Sequence, residues 1–355
     1  MKFTLKKIIT CLFATIWTVL AVECYLRVFA PVRMLPRFIE EGEHGVRRNI
    51  PGERYEHSSA EYRVEFSINE QGIRDPRVFT IPKPNDVFRI LLLGDSFGMG
   101  YGVSYEDSVP ALLESSLSAA LDRPIEVVNL SVSGFGTAEQ AIVLENDGFS
   151  FEPDLVLAYW HSSDVRDNVR SQLYELDGSK LIRRNQSYLP AVSLRTWLFS
   201  FPAYRWIAEH SQFYNWIRGD VGRVAREFLF VLNDIRGGDA NDNALADPDA
   251  VPKNIQLSLA LLDLMRISCA QRGIPFIIAE VPTNPAPGKF METFPDEAML
   301  RSGYSFDVVT PIPLFEHVHR TNDGASIYWQ KSAGHWTPLG ANAMARSIFE
   351  HLQSR

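Results

Sequence analysis

Residues Arg89 to Gly98 read R-I-L-L-L-G-D-S-F-G, and this stretch restricts the fold more than any other. Ile90 to Leu93 form an unbroken apolar run bounded by turn formers. Such a run suits a strand buried on both faces, as in a parallel sheet covered by helices. The pattern then repeats. Val109, Leu112, Leu113 and Leu117 fall at helical spacing, with Pro110 in the first turn, and Ile125 to Leu130 supplies a second apolar run. Thr137 with Gln140 predicts a capping box, opening a helix whose inner face carries Ala138, Ala141 and Ile142. Leu155 to Tyr159 follows as a third strand. Strand, helix, strand, helix, strand predicts an α/β fold with a parallel sheet and right-handed crossovers. Ser96 then lies just past the carboxyl end of the first of these strands, the edge where open α/β sheets bind ligands. Taken alone, the Gly-Asp-Ser tripeptide reads more readily as a turn than as a site.

Regular structure returns late in the chain. Leu257, Leu261, Leu264 and Met265 predict a helix that Gly273 ends, Pro275 to Val281 a fourth strand, and Ser326 to Gln330 a fifth. The last helix has Thr337 as its cap, Pro338 in its first position, and one apolar face of Ala341, Met344, Ala345, Ile348 and Leu352. Between these halves, residues 169–252 form an aromatic-rich insertion, expected to be mostly helical. Its rings, including Trp197, Phe201, Trp206 and Trp216, are expected first to pack a core, and second to form a lid or sugar platform. Asp239, Asp242, Asp247 and Asp249 lack calcium-loop spacing and read as a solvated loop. Residues 31–85 read as an extended approach segment, in which Tyr62, Val64, Phe66 and Ile68 alternate as a strand and Asn69 to Asp75 turns. The resulting organisation is 1–30, 31–85 and 86–355.

A formal net charge of -8 over 355 residues, with no basic stripe, argues against a nucleic-acid partner. Of the three cysteines, Cys11 lies in and Cys24 just beyond the N-terminal apolar run and Cys269 stands alone, so neither a disulfide framework nor a cysteine metal site is expected. That run, Ile8 to Val22, follows Lys2, Lys6 and Lys7 and ends at Glu23 and Arg27. It reads as an uncleaved signal anchor (1–30), because no clean small-x-small site follows and Glu23 before Cys24 spoils a lipoprotein reading. The expected location is therefore a membrane, with one N-terminal pass and the main body outside the cytoplasm.

Four short segments fall in a fixed order at predicted strand ends: G-D-S-F at Gly94 to Phe97, N-L-S-V-S-G at Asn129 to Gly134, H-S-S-D at His161 to Asp164, and G-H-W-T-P at Gly334 to Pro338. Their order resembles the SGNH, or GDSL-type, hydrolase superfamily, over roughly Asp86 to the C-terminus apart from the insertion. I-N-E-Q-G-I-R-D, at Ile68 to Asp75, also resembles the leader of membrane-anchored members. The resemblance implies a three-layer α/β/α sandwich, ester chemistry on acyl groups, and no metal or organic cofactor. It makes Ser96 the nucleophile and first oxyanion donor, Gly134 the second donor through its amide, and His335 the general base. Asp95 and Asp164 are secondary candidates. Two positions depart from the pattern. Ser163 replaces the third-block asparagine, a side-chain oxyanion donor, and Ser332 and Ala333 stand where an acid is expected before the histidine. A backbone carbonyl or Asp323 are the alternatives for orienting His335.

The leading expectation is a serine esterase or O-acyltransferase acting on acylated carbohydrate or a related envelope ester through an acyl-Ser96 intermediate. The alternative, motivated by the two departures, is a catalytically impaired envelope protein of the same fold that binds glycan. G-D-S-F-G also satisfies the α/β-hydrolase elbow G-x-S-x-G, but the serine follows the first strand of the repeat, whereas an elbow comes later. In this reading His161 is structural.

Overall fold

In a computed structural model, residues 5–34, 36–190, 192–221, 251–332 and 334–355 are described. The chain divides into two compact units: one of residues 1–37, 56–63 and 194–248, the other of residues 38–55, 64–193 and 249–355.

The larger unit is an α/β/α sandwich. The strands before its sheet are β1 (Ile39–Glu41), β2 (Arg47–Asn49), β3 (Arg54–Ser58) and β4 (Arg63–Ser67), of which β3 and β4 straddle the division between the units. The sheet itself is built from β5 (Phe88–Leu93), β6 (Ile125–Asn129), β7 (Leu155–His161), β10 (Phe276–Val281) and β13 (Val308–Val309), in the order β13-β10-β7-β5-β6 and parallel throughout. Two hairpins, β8 (Tyr174–Asp177) with β9 (Lys180–Arg183) and β11 (Thr283–Ala286) with β12 (Lys289–Met291), lie outside it.

Alternation along β5 explains the layers. Ile90 and Leu92 enter one core, with Val109, Leu113 and Leu117 of α2 (Val109–Leu121) and Met344 and Ile348 of the last helix. Leu91 and Leu93 enter the opposite core, with Ala138, Ala141 and Ile142 of α3 (Thr137–Asn146) and Leu261, Leu262 and Met265 of the helix Lys253–Gln271. All four β5 residues are at most 1 % exposed, and each such side chain contributes about 1.5–3 kcal/mol by leaving water. The remaining helices of this unit include α4 (Ser163–Ser171), whose first turn follows β7 almost directly.

The smaller unit holds α1 (Leu5–Phe29), an unbroken 25-residue apolar helix, and most of α5 (Val192–Phe199), with α6 (Pro202–His210) and α7 (Gln212–Trp216). The helices after these are α8 (Lys253–Gln271), α9 (Asp296–Arg301), α10 (Ile312–Thr321) and α11 (Pro338–Gln353).

Several expectations need correction. The fifth sheet strand is Val308–Val309, not Ser326–Gln330; in the latter stretch only Tyr328 bridges, to Trp336 across the His335 loop. The N-cap of α3 is Gly136, whose N–H donates to the Glu139 carboxylate at 3.0 Å, so the cap sits one residue earlier than Thr137 and Gln140 suggested and, with glycine there, only the glutamate half of a capping box is made. Thr137 is freed to bond elsewhere. Within the insertion, residues 174–183 carry the β8–β9 hairpin, and Trp197, Phe201 and Trp206 are exposed rather than packed into a core. Asp239, Asp242, Asp247 and Asp249 lie outside the described residues.

Candidate active site

Ser96 follows β5 in a tight turn whose shape comes from its neighbours. The buried Asp95 carboxylate accepts the Phe97 N–H at 2.8 Å, and Met99 N–H donates to Asp95 O. Desolvation pushes the Asp95 carboxyl up to about 6, with the Asp167 charge adding to the rise and the Phe97 N–H opposing it. Asp95 thus shapes the turn from beneath.

From the β6 side, Asn129 donates its amide to Gly98 O at 2.8 Å and accepts the Ser131 N–H at 3.1 Å, while Val132 N–H donates to Gly94 O. Close packing leaves no room for side chains here: a Cβ at Gly98 would lie 2.3 Å from Ser131 Oγ. From the other direction comes Arg74, of the I-N-E-Q-G-I-R-D segment. Its buried guanidinium donates to the carbonyls of Met99, Gly100 and Val103 at 2.7–2.9 Å, and it lies 3.7 Å from the Phe66 ring centre. Desolvation lowers its pKa to about 10, still far above neutrality. A small cluster of Tyr55, Phe66, Ile68, Met99 and Tyr101 completes this support.

His335 arrives on the loop before α11. Thr337 caps that helix by accepting the Gly340 N–H, and donates its hydroxyl hydrogen to Ser326 O at 2.7 Å. Trp329 N–H donates to His335 O, and the Trp329 indole reaches Gly102 O at 3.0 Å, which ties the histidine loop to the serine turn. The outcome is a contact of 2.8 Å between His335 Nε2 and Ser96 Oγ, across 239 residues of sequence. Phe97 and Tyr101 flank the imidazole, with ring centres 4.8 and 5.3 Å away.

Gly134 lies beyond β6 at φ +77°, a conformation that disfavours any side chain. Its carbonyl accepts from Arg47 Nη2, and Arg47 also faces Glu139 at 3.4 Å and the Phe135 and Tyr188 rings. Among the described residues, neither the Ser96 nor the Gly134 N–H has a hydrogen-bond acceptor. Two amides at the carboxyl edge of adjacent strands therefore remain available to a developing negative charge.

The third block behaves differently. Ser163 opens α4 with its Oγ 2.9 Å and its N–H 3.3 Å from His161 Nδ1. Asp164 is buried against α3, accepting the Thr137 hydroxyl at 3.2 Å, and its other oxygen has no partner among the described residues. Desolvation, with Asp95 and Asp167 adding repulsion, raises its carboxyl well above the usual range. The structure thus brings Ser96 and His335 into contact and leaves Ser163 turned to His161. Arg47 and Arg74 were not singled out in the sequence, where a lone arginine in a polar segment carries no signal; only the I-R-D leader pattern pointed near Arg74.

No family model matches the sequence, and neither does any curated protein. Solved structures with a similar fold include a protein described as a lipolytic member of the G-D-S-L family from Desulfitobacterium hafniense, 14% identical, with 74% of this chain and 98% of that one covered and a TM-score of 0.38. An acetylxylan esterase from Geobacillus stearothermophilus is 14% identical over 75% of this chain and 94% of its own, TM-score 0.38. A two-domain esterase active on acetylated mannans is 12% identical over 76% of this chain and 49% of its own, TM-score 0.40. At these values the likeness decides nothing about chemistry.

Proposed function

We propose that this chain is a serine esterase or O-acyltransferase of the SGNH type, acting on ester-linked acyl groups of carbohydrate or related envelope substrates. The observation that carries the reading is the 2.8 Å contact between Ser96 Oγ and His335 Nε2 at the carboxyl edge of the sheet. Because Nε2 accepts the hydroxyl hydrogen, the ring's own hydrogen sits on Nδ1. His335 removes the Ser96 proton as Oγ attacks the acyl carbon, and the carbonyl electron pair moves onto oxygen beside the Ser96 and Gly134 amides. When the tetrahedral species collapses, the C–O bond to the leaving alcohol breaks and His335 returns the proton to that oxygen. Acyl-Ser96 is then resolved by water, or by a sugar hydroxyl in the transferase case, deprotonated in the same way. The carbohydrate substrate class follows from the sequence resemblance.

A fluorophosphonate probe tests the reading. Full-length protein is expected to label at Ser96 and to release acetate from acetylated glycan, and Ser96→Ala to abolish both while melting at the same temperature. Wild-type protein that neither labels nor releases acetate overturns it.

We also read α1 as a retained membrane anchor. At about 1.5 Å per residue its 25 residues exceed a hydrocarbon core of about 30 Å. Its Glu23 accepts from Ser211 Oγ and from the Gln212 and Phe213 N–H groups at 2.8–3.0 Å, bonds that a cleaved leader would forfeit. Protease added to spheroplasts is expected to digest the body of the protein. A body that stays protected overturns the outward orientation.

A further inference from the structure

The third block holds a donor that the reading above leaves unused. Leu93 of β5 is in register with Ala158 of β7; His161 ends β7 three residues on, and Ser96 stands in the turn three residues past Leu93. The Phe97 ring lies 5.2 Å from the His161 ring and 4.8 Å from that of His335. The protonation of His161 follows from one contact. Ser163 N–H points at His161 Nδ1 at 3.3 Å, and a backbone N–H can only donate. Nδ1 is therefore the bare nitrogen and Nε2 carries the hydrogen. Ser163 Oγ lies 2.9 Å from the same Nδ1. His161 Nε2–H, in contrast, has no acceptor among the described residues. Desolvation, opposed by Asp167 and reinforced by Arg166, lowers the His161 pKa to about 4, so the ring is neutral at neutral pH. A neutral imidazole can donate to an oxyanion without giving up its proton.

We propose that His161 Nε2–H is the third oxyanion donor of this site, in place of the side chain at Ser163, whose backbone N–H instead fixes the tautomer of His161. The inference rests on the esterase reading, and its test separates the two. With p-nitrophenyl acetate and full-length protein, His161→Leu lowers kcat by about 100- to 1,000-fold with KM nearly unchanged. The affinity for a boronic-acid transition-state analogue falls by the same factor. His161→Gln, which keeps an N–H donor, recovers at least tenfold of the lost kcat, and Ser163→Ala, which keeps the backbone N–H to Nδ1, stays within about fivefold of wild type. Wild-type activity with His161→Leu unimpaired overturns the assignment alone, as does a Ser163→Ala loss equal to that of His161→Leu or a His161→Gln no better than leucine. Absence of any Ser96-dependent turnover in wild type overturns both readings.

A different observation carries a second inference, confined to the smaller unit. Leu194, Trp197, Phe201, Trp206 and Ile207 are all more than 40 % exposed on and between α5 and α6. The junction of α6 and α7 is bound to α1 through the three hydrogen bonds to Glu23, and Arg27 donates to His210 O at 2.5 Å. Glu23 and Arg27 lie in the last two turns of α1, the level at which a spanning helix leaves the hydrocarbon. Tryptophan belongs at that depth, ring in the acyl boundary and N–H in the headgroups. We infer that α5 and α6 lie in the bilayer interface beside α1. In a Trp17→Phe background, the full chain in phosphatidylcholine vesicles with brominated acyl chains is expected to show tryptophan quenching that largely disappears in Trp197→Phe/Trp206→Phe. Quenching unchanged by the double substitution overturns the inference.

Discussion

The two walls beside the Ser96 turn are fastened to different things. On the β6 side, Asn129 and Val132 bond directly to the turn, at Gly98 O and Gly94 O. On the β7 side, the residues after His161 are fastened to helices: Asp164 to Thr137 of α3, and Asn168 to the Ala138 N–H and to Ser258 of α8, both at 2.9 Å. One wall is continuous with the nucleophile's backbone, and the other belongs to the packing of α3, α4 and α8. A site built this way can change its β7 wall without losing a hydrogen bond to the serine turn.

Asn129→Ala should break the comparison most severely. It leaves the Gly98 carbonyl and Ser131 N–H unpaired in a buried site, costing about 2–4 kcal/mol. A turn displaced by an ångström would also lower kcat by about 100-fold. Urea unfolding and ester kinetics on the same sample check both.

Asp95 sits in the turn between the walls, and burial raises its carboxyl. Its carboxyl titrates near 6 in the fold against 3.8 for the free group, so between those values the native state keeps a proton that the unfolded chain has lost. Its contribution to stability is present below pH 3.8 and is lost as pH rises through 6, a change of about 3 kcal/mol. His161, lowered from 6.5 to about 4, contributes the opposite slope over pH 4–6.5. Asp95→Asn should therefore leave stability rising from pH 4 to pH 7 more steeply than in wild type, by about 3 kcal/mol over that interval, measured by urea unfolding at the two pH values.

Asn168→Ala tests the β7 wall by itself. Loss of its bonds to Ala138 N–H and Ser258 should cost about 2 kcal/mol while kcat stays within threefold. A kcat loss matching that of Asn129→Ala would erase the distinction between the walls. Gly134→Ala should have the smallest effect on stability, about 1–2 kcal/mol, because an alanine there is held at φ +77° with its Cβ 3.1 Å from Arg47 Nη1. The guanidinium, at the end of a flexible side chain, can give way. Thermal unfolding measures it.

The layered α/β architecture was legible because burial on both faces forces continuous apolar runs, and Ile90–Leu93, Leu155–Tyr159 and Phe276–Ala279 are such runs. Val308–Val309 was not, since a two-residue edge strand has no period to detect. The order of the chemical blocks, with Ser96 at a strand end and His335 before a capped helix, is likewise a property of the chain read in one dimension. Only the tertiary structure decided what each block touches. Local propensity cannot encode a bond from Arg74 to the carbonyls beyond Ser96, nor the turn of α4 that aims the Ser163 N–H at His161 Nδ1. Those contacts depend on where separate strands and helices end in space, and that is settled by packing, so the hydrogen on His161 and the hydroxyl at Ser163 acquire their meaning only there.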